Sequence, residues 1–310
     1  MLSPNSGFRE ATLVGSDRPI PFPDDDPDAL AVLLNIAHMK FSLVPRTLEF
    51  ETLLHLADLT EKYDAINILR PWIKGWIQAA EHLAERPGYE EWLFIAWAFG
   101  EVQIFDKLST RLVWQVRINE LGQCVGPSGR ILDRSSDDID ALFPPGIIES
   151  ILEHRFGTIE YVVVHIQTRI HTYLHGKRTG VYLCKMAHTL PRQEAEACDA
   201  LCYGSLVYAL YTLGLSPGFE RPQDTKFSAQ HLKDIMSTWI APALGYTPGP
   251  GGMLALHHSS CSVKTLFDEV TEYVSGIASP GLKAHYDHMA RKRSGLTEGQ
   301  PPRKKRKRRH

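Results

Sequence analysis

Sulfur and imidazole groups gather in the C-terminal half at Cys184, His188, Cys198, Cys202, His257, His258 and Cys261. His258 and Cys261, with two residues between them, have the spacing of half a zinc site. Cys184 and Cys198 would complete a Cys₃His set, Cys184, Cys198, His258 and Cys261, for a tetrahedral ion. Cys198 and Cys202 lie one helical turn apart and so face the same way. No Cys-x-x-Cys pair is present, and about sixty residues separate the two halves. Free cysteines also serve as small buried hydrophobes, so a structural zinc and a plain core remain the two readings. Cys261 and His257 can be drawn as a nucleophile and its base. Fourteen histidines make such pairs easy to find, however, and nothing marks an oxyanion site. Gly-x-Ser-x-Gly, His-Glu-x-x-His and the dinucleotide fingerprint are all missing, which points away from an enzyme.

The other chemically loaded stretch is the end of the chain. Arg303, Lys304, Lys305, Arg306, Lys307, Arg308 and Arg309 follow Pro301-Pro302, which favours an extended backbone. Lys304 to Lys307 are similar to a basic nuclear import signal, and Arg291-Lys292-Arg293 could be the minor half of a bipartite one. An extended basic run lays lysine stems across aromatic ladders on an import receptor, with the ammonium heads reaching acidic groups. The competing reading is a solvated tail or a salt-sensitive nucleic-acid anchor. From Arg291 onward ten Lys or Arg oppose one acid, leaving 24 basic and 35 acidic residues in the body. Nucleic acid is therefore a partner for the tail alone. The expected location is the nucleus, with an import receptor as one partner.

Two stretches invite sharper readings that fail. Gly126 to Gly129 lacks the Gly-x-x-x-x-Gly-Lys-Ser/Thr pattern of a phosphate loop. Asp137, Asp138 and Asp140 lack the glycine and terminal glutamate of a calcium loop. Residues 117–143 read instead as an irregular segment, with a short hairpin from Gln123 to Leu132. Five cysteines form an odd set, and the polar N-terminus shows no secretory core, so reduced thiols in a soluble intracellular protein are expected. No apolar run approaches the ~18 residues of a membrane span. At 310 residues and 43% hydrophobic content, the chain can build a sizeable core.

The elements that would position these groups are helices. Asp24 to Asp26 supply an N-cap and Pro27 fits a first turn, ahead of a stripe of Leu30, Leu33, Leu34 and Ala37. A second stripe within 44–63 runs through Leu53, Leu56, Ala57 and Thr60. A third within 65–78 runs through Ile66, Leu69, Ile73, Trp76 and Ile77, with Pro71 as a bend. Trp92 to Phe99 and Phe105 to Val116 form two more helices jointed at Gly100. The longest periodic segment, 147–174, reads as helix through Ile148, Ile151, Ile159, Val163, Ile166, Ile170 and Leu174. Tyr161 to Ile166 is also rich enough in β-branched residues for a strand. Helices follow over 193–213, 229–240, 263–277 (Leu266, Val270, Tyr273 and Val274 inward) and 282–289. Beyond Ala290 no burial is expected.

The residues Met1 to Glu10, the strand and acidic turn Ile20 to Asp26, and Glu49 to Ile77 resemble a BTB/POZ domain of the kind found in fungal proteins. Lys62-Tyr63-Asp64 followed by Leu69-Arg70-Pro71-Trp72 and Trp76 carries that likeness most specifically. It continues through Glu90 to Trp114, Cys198 to Leu210 and His257 to Cys261. The resemblance implies a mainly α fold with an α+β remnant. It comprises an incomplete BTB/POZ-like domain over 1–80, a helical region over 88–289 and a disordered basic tail over 290–310. Within the helical region, 88–116 resemble the helical extensions of that family, 117–143 are irregular and 144–289 are helical. The β-hairpin, helix and strand that open a complete domain are not matched, which puts family-style homodimerisation in doubt and leaves Pro19–Pro23 without sheet partners. The family's function implies protein partners held on the 28–38, 48–63 and 65–78 helices, as in transcription-linked or ubiquitin-ligase adaptors. It implies no membrane contact and no cofactor beyond the structural zinc.

Overall fold

Asp26 starts the first helix: its carboxylate accepts the Ala29 amide at 2.8 Å, and Pro27 occupies the first turn, where its missing N–H costs nothing. A computed structural model describes residues 21–132, 142–189, 191–212, 215, 225–238, 261 and 263–294. Within them lie ten α-helices and two two-residue strands, so the protein is mainly α. The chain divides into two compact units, residues 1–109, 132–150 and 279–310, and residues 110–131 and 151–278.

In the first unit α1 (Pro27–Ala37), α2 (Phe50–Tyr63) and α3 (Ile66–Ala80) pack on one another. Leu53, Leu56, Ala57 and Thr60 are fully buried, as their spacing predicts, and so are all five residues of the α3 stripe. The α1 stripe rotates: Ala29, Leu30, Leu33 and Ile36 face inward while Ala37 is exposed. The Trp76 indole N–H donates to the Pro45 carbonyl at 2.9 Å, pinning the lead-in of α2 on α3. The Lys62-Tyr63-Asp64 corner closes on the acidic turn. Lys62 reaches the Asp25 carboxylate at 2.6 Å and the Tyr63 hydroxyl reaches it at 2.5 Å. That carboxylate is only 1% exposed, so the corner supplies the partners its burial demands. Asp64 ends α2 in the left-handed region, at φ +48°. Among the described residues of 1–80 there is no strand; Pro19 and Ile20 lie outside them.

The helix α4 (Trp92–Phe99) buries every residue except a half-buried Trp97. Gly100 closes it at φ +80°, and a Cβ there would stand 3.0 Å from the Met289 carbonyl oxygen. Glycine thus admits α10 (Lys283–Ser294), which packs along α4. Here the sequence expectation fails. Lys292, beyond the predicted limit of burial at Ala290, is buried and pairs with Glu61 at 3.0 Å and Asp64 at 3.6 Å. His288 stacks on Trp97 at 4.0 Å, and Arg70 donates to the carbonyls of Lys292 and Arg293. Arg70 thereby satisfies two of the carbonyls that a helix end leaves unpaired. Residues 290–294 are therefore helix, not tail.

In the second unit, α6 (Ile147–Thr179) continues from residue 151 and α7 (Arg192–Thr212), α8 (Ala229–Thr238) and α9 (Lys264–Ser275) share its core. The 33 residues of α6 form helix throughout, including the β-branched run at Tyr161 to Ile166. Its stripe drifts by the far end, where Tyr173 is buried and Leu174 is exposed. Tyr273, expected inward, is 63% exposed and stacks on Tyr161 at 4.0 Å. Both departures come from aromatic rings wide enough to cover apolar surface from the flank of the stripe. The strands β1 (Arg117–Ile118) and β2 (Cys124–Val125) pair antiparallel, and Val125 bridges Ile131 across the Gly126–Gly129 turn. Arg155, fully buried, donates to the carbonyls of Val116, Thr225 and Phe227. Burial lowers its pKa to about 10, so the guanidinium stays charged at neutral pH.

Candidate metal centre

Three cysteines distant in sequence meet inside the second unit. Cys184 follows the end of α6, where residues 185–189 turn and the Ala187 amide returns to the Cys184 carbonyl at 3.0 Å. Cys198 lies on the buried face of α7, and Cys261 stands just ahead of α9. Their sulfurs all lie within 4.8 Å of one another, with Cys184 and Cys261 at 3.9 Å. A disulfide needs about 2.05 Å, so these are thiols. Zinc–sulfur bonds of about 2.3 Å in a tetrahedron set sulfurs roughly 3.8 Å apart, close to the 3.9 Å between Cys184 and Cys261. Three of the four residues of the Cys₃His set therefore converge. His258 and His257 lie outside the described residues, and His188 is exposed and takes no part in the group.

The surroundings aim donors at the sulfurs. The Lys185 amide donates to Cys261 Sγ at 3.3 Å, and the Met186 amide to Cys184 Sγ. Asp199, next to Cys198 on α7, accepts the Leu183 amide at 2.8 Å and bonds the Cys184 amide as well. Its carboxylate thus holds the Cys184 turn against α7. Burial raises the Asp199 pKa, which leaves these amides as its support.

Electrostatics define what the cluster needs. Burial pushes the Cys198 thiol well up, and its neighbours Cys202, Cys261 and Cys184 push it further. Cys184 is raised by burial too. Three thiolates this close cannot form without a cation between them. A bound divalent ion reverses the sign of that interaction. Chemically, the arrangement is a set of soft donors with amide support. It can bind a thiophilic metal ion or stand as a neutral thiol core.

Sequence spacing missed two contributors. Asp199 is a carboxylate inside an otherwise small and apolar helix stretch, a signal of a buried anchor that the cysteine pattern overshadowed. Tyr173 reaches the cluster from α6, with its hydroxyl bonded to Cys202. Tyr173 and Asp199 also line a cavity of about 280 Å³ with Leu174, Lys177, Tyr182 and Tyr203. The import run Arg303, Lys304, Lys305, Arg306, Lys307, Arg308 and Arg309 lies outside the described residues, as do Asp137, Asp138 and Asp140. Its suggested upstream half, Arg291-Lys292-Arg293, is helical and engaged through Lys292.

Fold and site together define a mainly helical protein with a three-cysteine cluster in which Cys184 and Cys198 are buried and Cys261 is half-buried. No family model, no curated protein and no solved structure matches the chain. No helix among the described residues is long and apolar enough to cross a membrane.

Proposed function

We propose that the protein is a non-catalytic protein–protein interaction module of a nuclear protein, with its docking face on the BTB/POZ-like helices. One observation carries the reading. Met39, Phe41 and Leu43, in the turn after α1, are 75%, 54% and 60% exposed, and Ile68 stands exposed on α3. The Phe41 ring lies 5.5 Å from that of Trp72, one turn beyond Ile68, which joins the turn and the helix into one apolar surface. Such contiguous patches mark interaction sites on soluble proteins. Lys40, Arg46 and Lys74 are exposed around it, and neither 38–48 nor 65–80 holds a carboxylate. The partner that fits is a protein segment carrying apolar side chains and carboxylates.

The test uses the full chain, epitope-tagged and recovered from nuclear extract, with bound proteins quantified by mass spectrometry. Phe41→Asp with Ile68→Asp removes two anchors worth about 2 kcal/mol each, roughly thirtyfold per anchor in affinity. The expected result is a set of acidic-segment partners lost from the variant, whose helical content is unchanged. Identical sets overturn the reading.

The cysteine cluster supports a second, structural assignment in the other unit: Cys184, Cys198 and Cys261 hold a zinc ion. The ion would cross-link the post-α6 turn, α7 and the start of α9, replacing the disulfide that a reducing compartment denies. The sulfur spacing and the amides aimed at sulfur favour this over a plain thiol core.

A further inference from the structure

We infer that the metal centre is all-thiolate, with Cys202 as its fourth ligand in place of His258. The inference rests on the zinc assignment and goes beyond it by fixing the donor set and therefore the class of ion, a thiophilic divalent cation. Cys202 sits one turn after Cys198 on the same face of α7, and both side chains are buried. A single rigid helix thus presents two sulfurs to the same volume, the i, i+4 arrangement that places two ligands on one ion.

The contacts of Cys202 already belong to the cluster. Its thiol donates to the carbonyl of Cys261, itself a ligand of the proposed centre, at 3.3 Å, and its sulfur bonds Cys198. The Cys202 sulfur stands outside the group of three that lie within 4.8 Å of one another, and one step between staggered χ1 wells moves it by about 3 Å, enough to exchange its Cys261 carbonyl and Tyr173 contacts for an ion among the three sulfurs. The Tyr173 hydroxyl donates to Cys202 Sγ. The Lys185 and Met186 amides give two of the four sulfurs, those of Cys261 and Cys184, a donor where they stand. Four thiolates around one dication leave two negative charges, which these donors are placed to spread. Four sulfurs select zinc, cadmium or cobalt(II) over magnesium, calcium or manganese, which require oxygen.

Cobalt(II) is the probe, titrated anaerobically into reduced, metal-free full-length protein. The sulfur-to-cobalt charge-transfer band grows with the number of thiolates, and the visible bands report tetrahedral geometry. The expected wild-type result is one cobalt per chain with a four-thiolate band. Cys202→Ser should lose about one quarter of it, one sulfur in four. Cys202→His should keep stoichiometry and tetrahedral geometry with the same loss, which guards against a variant that merely misfolds. His258→Ala should leave the band unchanged. A Cys202→Ser band equal to wild type, with the ligand field altered in His258→Ala, overturns the Cys202 assignment and leaves the zinc reading standing. No charge-transfer band in the wild type overturns both.

Discussion

His285 has a single protonation state written into its contacts. Its Nδ1 accepts the Leu282 amide at 3.0 Å, so the ring proton sits on Nε2 and is donated to the Pro145 carbonyl at 2.8 Å. A second proton on Nδ1 would face an N–H. Burial lowers the pKa below its ordinary 6.5, and His288 on the same helix acts in the same direction. The sign follows: below pH 6.5 the unfolded chain takes a proton that the folded chain refuses. Stability is full above that value and falls as the pH drops, by up to about 1.4 kcal/mol per pH unit until the folded group also titrates. His285→Gln keeps an acceptor for Leu282 and a donor for Pro145 without an ionisable group. Urea unfolding at pH 7 and pH 5.5 should show a larger loss for wild type than for His285→Gln. Equal losses would remove His285 from the account.

Helical spacing made α1 to α3 legible because each buries a stripe against a neighbour close in sequence. The caps at Asp26 and Gly100 were legible for the same local reason, since each satisfies or frees backbone within a few residues. The role of α10 was hidden. Its sequence is basic and weakly apolar, and what buries Lys292 is a pair of acids at Glu61 and Asp64, more than two hundred residues away. No local pattern encodes that pairing. The same limit applies to the cysteine cluster: the cysteines announce themselves by type, whereas Asp199 and Tyr173 enter only once α6 and α7 are brought together. Truncation tests the α10 finding. Ending the chain after Ser294 should leave the thermal midpoint in place. Ending it after Ala290 strips Lys292 from its acids and Arg70 from its carbonyls, a loss of about 2 kcal/mol. For a chain of this size that is roughly a 4–8 °C drop of the affected transition by calorimetry. Equal midpoints would return 291–294 to the tail.

Across the whole molecule, charge is divided as sharply as chemistry: an acidic body carries nearly a third of its positive charge in the segment from Arg291 onward. The structure narrows which part of that segment can serve import. An import receptor reads an extended strand of lysines, and Arg291 to Arg293 are helical, with the Lys292 ammonium held by Glu61. Offering them as half of a bipartite signal would require unwinding the last turn of α10 and taking Lys292 from Glu61 and Asp64. Arg303 to Arg309, which lie outside the described residues, would then have to supply the import signal alone. A fusion to a bulky fluorescent tag, imaged in living cells, separates the cases. Deleting 303–309 should abolish nuclear accumulation, while Arg291→Gln with Arg293→Gln should leave it intact. If the tail is instead an anchor for nucleic acid, the deletion preserves entry. It then releases the protein from permeabilised nuclei at lower salt, because each phosphate contact adds to the salt dependence of binding. Nuclear accumulation that survives the deletion removes import from the tail's role, and loss of accumulation in the Arg291/Arg293 variant restores the bipartite signal at the expense of the docked helix.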